Sequence, residues 1–139
     1  MSETNKEKLR NSIDAIESGY EFMLAYAAQG RDFEYTGGGD GPSVRVYLED
    51  MKTGLELVAD NFVNVVSDTD TSGAEFSDFI EILKSDAEKS QVAVKMVLSL
   101  PSIGSQVIDN LNATIHVRAL LTDLFLIDEA LTSLSRKPQ

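Results

Sequence analysis

Cysteine and tryptophan are missing from this chain, and histidine occurs once in 139 residues. Without cysteine there is no disulfide, no thiol nucleophile and no thiolate metal site. With a single histidine, His116, the paired Glu-x-x-His motifs of di-metal carboxylate bundles cannot be built, and position 113 is in any case Ala113. No Gly-x-Ser-x-Gly elbow is present for a serine nucleophile. No run of about 18 apolar residues occurs, which argues against a membrane-spanning helix. The opening MSETNKEKLR lacks the apolar stretch of a secretory signal. Positive charge is scarce: 12 Lys and Arg stand against 23 Asp and Glu, a formal net charge of −11. Phosphate backbones and anionic lipid repel such a chain, so neither nucleic acid nor a membrane is an expected partner. The basic residues are scattered apart from Lys6, Lys8 and Arg10, which read as one solvated helical turn. A cytoplasmic protein with no catalytic residue, no cofactor and no metal is the expectation these absences leave.

What is present is helical periodicity over a length suited to one domain, 1–139, with 42% hydrophobic residues. Leu9, Ile13, Ile16, Tyr20, Met23 and Ala27 recur at three and four, predicting a helix over about 6–29, with Gly30 as its stop. Val44, Tyr47, Met51, Leu55, Val58, Phe62 and Val65 predict a second over 43–66. Gly19 and Gly54, inside these helices, mark candidate points of close helix crossing. In the third, 73–99, Ser72 and Glu75 have capping-box spacing, Ala87 and Gln91 continue the apolar stripe, and "KSDAEKSQ" makes its centre polar. Pro101 ends it, Ser102 is the candidate cap of a fourth helix over 102–135, and Val107, Leu111 and Ile115 lead into a seam of Val117, Leu120, Leu124, Ile127, Leu131 and Leu134. Residues 1–5 and the glycine-rich loop 31–42 are expected to be flexible. Short connections favour antiparallel neighbours, so the fold class is all-α, an antiparallel up-down-up-down four-helix bundle. Leu121, Phe125 and Leu126 lie off the fourth helix's seam, which makes them the candidate homodimer interface.

Each possible chemical site has a plain structural reading beside it. "GGGDGPSVR" feeds a helix N-terminus, where Gly38, Gly39, Gly41, Ser43 and Arg45 are the candidate binders of an anion or small molecule. The P-loop lysine and hydroxyl are missing, Asp40 opposes an anion, and a chain-reversing connector with Ser43 as N-cap explains the same residues. Asp68, Asp70, Ser72 and Gly73 occupy the first half of a calcium loop, but Phe76 and Phe79 stand where later ligands belong, so calcium is not expected. Glu17 with Glu21, and Asp123 with Asp128, are carboxylates that would share a proton if they faced each other and otherwise face water. Tyr20, Tyr26, Tyr47, Met23 and Met51 form a cluster that lines a ligand pocket or fills a core. His116, alone on a helix of a small acidic bundle, resembles the phosphate acceptor of histidine-phosphotransfer domains. That resemblance implies a phosphoryl-carrying histidine, although the family's lysine and glycine are replaced by Ala119 and Leu120. The leading expectation is a protein acting through protein–protein contacts, as a homodimer with a further partner. A ligand sensor stands second and phosphotransfer third.

Overall fold

A computed structural model describes residues 4–33, 43–68 and 74–135. They form five helices and, among the described residues, no strand: α1 (Asn5–Ala28), α2 (Val44–Asp68), α3 (Ala74–Leu98), α4 (Ser105–Ala113) and α5 (Ile115–Ser135). No helix among them is long and apolar enough to cross a membrane.

The first two helices follow their apolar stripes. Thr4 caps α1, its Oγ1 accepting from the Glu7 N–H at 3.1 Å, so order reaches back into the segment expected to be flexible. Gly30, at φ 64°, takes the left-handed conformation that a chain leaving a helix requires. Leu9, Ile13, Ile16 and Met23 are buried against Leu48, Met51, Leu55, Val58 and Phe62 of α2. The two helices cross tightly through their glycines. A Cβ on Gly54 would sit 2.8 Å from the Ser12 carbonyl oxygen, and one on Gly19 2.9 Å from the Met51 Cβ. Asn61 secures the crossing, donating to Ser12 Oγ at 2.6 Å and to the Lys8 carbonyl at 3.2 Å. Asn5 at the start of α1 donates to Asp68 at the end of α2 (2.8 Å), so the pair is antiparallel.

α3 turns a slightly different face inward from the one its pattern announced. Leu83, Ala87, Val94 and Val97 are buried together with Ser90, while Gln91 is only half-buried. The larger departure lies in the fourth predicted helix, which is two. Ser102 is exposed and does not cap; the helix starts at Ser105 after Gly104. Ser105 is held by the end of α1: its Oγ donates to the Tyr26 carbonyl (2.7 Å) and accepts from the Arg31 N–H (2.8 Å). Its N–H also donates to the Arg31 carbonyl at 2.8 Å. The Tyr26 hydroxyl completes the junction by donating to the Ile103 carbonyl at 2.6 Å. α4 then stops at Thr114, which is extended (φ −62°, ψ 138°) and returns both its N–H and its Oγ1 to the Leu111 carbonyl. A threonine that satisfies itself locally in this way interrupts a helix without proline or glycine. Ile115, expected to continue the apolar face, is turned out by the break and is 74% exposed.

The break sets which helices meet. α4 packs on α1, whereas α5 packs on α3. Extended contacts run α1–α2, α2–α3 and α3–α5, but α1 and α5, which would complete the ring, share no extended contact.

Candidate functional site

Of the proposed anion binders, Gly38, Gly39 and Gly41 lie outside the described residues, as do Asp70, Ser72 and Gly73 of the calcium-like stretch. Ser43 acts as the cap of α2, its Oγ accepting from the Val46 N–H at 3.3 Å. Arg45 is committed to the fold: its guanidinium donates to the Leu98 carbonyl at 2.9 Å and the Leu100 carbonyl at 2.7 Å. Those carbonyls lie at the C-terminal end of α3, where a cation answers both the unpaired oxygens and the helix dipole. Arg45 thus clasps the start of α2 to the end of α3. Asp68, the described member of the calcium-like stretch, accepts the Asn5 amide instead.

The aromatic and methionine cluster is filled space. Met23 and Met51 are fully buried, Tyr26 is bonded to Ile103, and Tyr47 stacks on Phe22 with ring centroids 4.0 Å apart. His116 is exposed in the first turn of α5.

The candidate interface residues separate. Leu121 is 7% exposed and belongs to this chain's own core, which corrects its assignment to a dimer surface. Phe125 and Leu126 are exposed at 58% and 56%. Being consecutive, they point about 100° apart around the helix and cannot serve one flat face. Leu126 lies with Phe76 and Phe79 over the α3–α5 contact. Phe125 stands three residues before Asp128, so helical spacing sets it toward the Asp128 side of α5.

On that side lies an open groove of about 830 Å³, with Lys6, Arg10 and Ile13 of α1 on one wall, Asp128 and Leu131 of α5 on the other, and Val65 of α2 between them. The α1 wall continues at helical spacing through Glu17, Glu21 and the exposed Leu24. Glu17 is partly buried, and its carboxyl is pushed up from the usual range, first by burial and then by the negative charges of Asp128, Asp14 and Glu21; Arg10 opposes the shift. Like charges thus face each other across the opening.

A second acidic contact joins α3 to α5. Asp123 meets Asp86, and its carboxyl is raised to about 7, first by burial, then by a hydrogen bond with Asp86 and by that residue's charge. Among the described residues no donor reaches the buried Oδ2 of Asp123, so the pair is satisfied when one proton is shared between the two carboxyls. The sequence offered half of this: Asp123 stood out in apolar surroundings, but its natural companion there was Asp128. Asp86 was legible only as part of the polar centre of α3.

Compared with known proteins, the chain matches no family model, no curated protein and no solved structure.

Proposed function

We propose that this is a non-catalytic protein that works by protein–protein contact, with the groove between α1 and α5 as its contact site. In this reading α4 and α5 together take the place of a fourth helix in a bundle left open along one edge. The observation that carries it is the lack of extended contact between α1 and α5; helical spacing sets exposed Leu24 on the α1 stripe and exposed Phe125 toward the Asp128 side of α5. Exposed apolar side chains beside a groove are what a partner helix buries, at about 25 cal/mol per Å² before the cost of association. A sensor built on Arg45 draws less support, because its guanidinium is already engaged by two carbonyls.

Site-specific photo-crosslinking in the source cell tests this. A benzophenone-bearing residue at Leu24 or Phe125 is expected to yield a protein adduct, and the same residue at exposed Asp60 of α2 is not. Equal labelling at all three positions, or none at Leu24 and Phe125, would remove the groove as a contact site.

A further inference from the structure

We infer that the partner seated on this opening is a second copy of the same chain, docked with its α1 antiparallel across the first. The inference rests on the contact-site reading above and adds the identity of the occupant. It comes from the order of charge along the groove-facing stripe of α1, in which Ile13 is buried and charged residues stand to either side of it. Lys6, Arg10, Ile13, Glu17, Glu21 and Leu24 recur at spacings of four, three, four, four and three, so they share one face. The two cations precede Ile13 and the two carboxylates follow it. They are also placed symmetrically: the numbers of Arg10 and Glu17, and those of Lys6 and Glu21, both average 13.5.

A two-fold axis crossing α1 between Ile13 and Asp14 therefore sets Arg10 of one copy against Glu17 of the other, and Lys6 against Glu21, each with its symmetry mate. That is the self-complementarity an isologous interface requires. Within one chain Arg10 is felt at Glu17 only at a distance: among the described residues no ion pair joins Arg10 or Lys6 to a carboxylate at 4.0 Å or less. Glu17 is crowded by Asp14, Glu21 and Asp128, and a cation arriving from outside relieves that crowding. α1 has 24 residues and so runs about 36 Å, long enough for a helix-pair interface, and the face ends in exposed Leu24. Each chain carries −11, so general repulsion opposes association. The cross-copy pairs are local attractions that overcome it in one orientation only.

Sedimentation or light scattering on the purified chain, with circular dichroism to confirm unchanged helix content, decides the matter. The wild type is expected at twice its 15.2 kDa mass. Arg10→Glu alone and Glu17→Arg alone each place like charges together twice and are expected to weaken the dimer by about tenfold or more. The double variant Arg10→Glu/Glu17→Arg restores it, and an equimolar mixture of the two single variants forms a heterodimer. A monomeric wild type, single variants that dimerise as well as the wild type, or a double variant no better than the singles would each overturn the inference. If the wild type is monomeric while Phe125 still crosslinks to a different protein, the contact site stands and the second copy does not.

Discussion

At Asp123 a single proton links the packing of α3 and α5 to pH. The unfolded carboxyl titrates near 3.8 and the folded one at about 7, so the folded state holds the extra proton between those values. The stabilisation is complete below about pH 4 and is lost as pH rises through 7. Solvent reaches the pair, which discounts the effect to on the order of 1–2 kcal/mol, or a few degrees of Tm. Asp123→Asn donates to Asp86 at every pH. Its Tm is expected to exceed that of the wild type at pH 8.5 and to fall less between pH 6 and 8.5. Parallel thermal profiles for the two proteins would show that no shared proton is involved. A second contrast separates neighbours on α5. Leu121→Glu places a charge in the core and is expected to lower stability by about 3 kcal/mol or more, whereas Phe125→Glu, on an exposed side chain, leaves the unfolding free energy of the separated monomer, from chemical denaturation, within about 0.5 kcal/mol of wild type.

Helix against helix, the structure depends on a few fixed points. Gly54→Ala gains about 1 kcal/mol of helix propensity but drives a methyl group into the Ser12 carbonyl at 2.8 Å, which is backbone and cannot swing away. A net loss of about 1–2 kcal/mol is expected in urea unfolding; a more stable variant would mean that α1 and α2 readily move apart. Arg45→Ala removes two charge-assisted bonds to the end of α3 and is expected to lose about 1.5–3 kcal/mol, with faster amide exchange in the last turn of α3. Here the sequence was most and least informative. The stripes of α1 and α2 were readable because each apolar position has one helical face to occupy, and the two glycines stood out within them. The break at Thr114 was not, because its cause is one hydroxyl and one N–H turning back to Leu111 rather than a proline or glycine. The meeting of Asp86 with Asp123 was hidden for another reason: it depends on the register of α3 against α5, and no local pattern encodes that. Arg45 was visible as a cation at a helix start, but its carbonyl partners lie more than fifty residues away.

Taken whole, the molecule is a strongly acidic assembly of helices in which Glu17, Asp128, Asp86 and Asp123 bring negative charge into the contacts themselves. Its stability is therefore expected to respond to screening: raising NaCl from about 20 mM to about 300 mM at pH 8 should raise Tm, because the Debye length falls from about 20 Å to about 6 Å and the repulsion summed over the dispersed carboxylates weakens. An unchanged Tm would indicate that the surplus charge is already well separated. The interruption at Thr114 has the widest reach of any feature here. One unbroken rod from Ser105 to Ser135 could not lean on α1 at its beginning and on α3 thereafter. Mending it, for instance by Thr114→Ala, would favour one straight rod from Ser105 to Ser135 and, on the contact reading proposed above, would close the opening where another molecule is to be met.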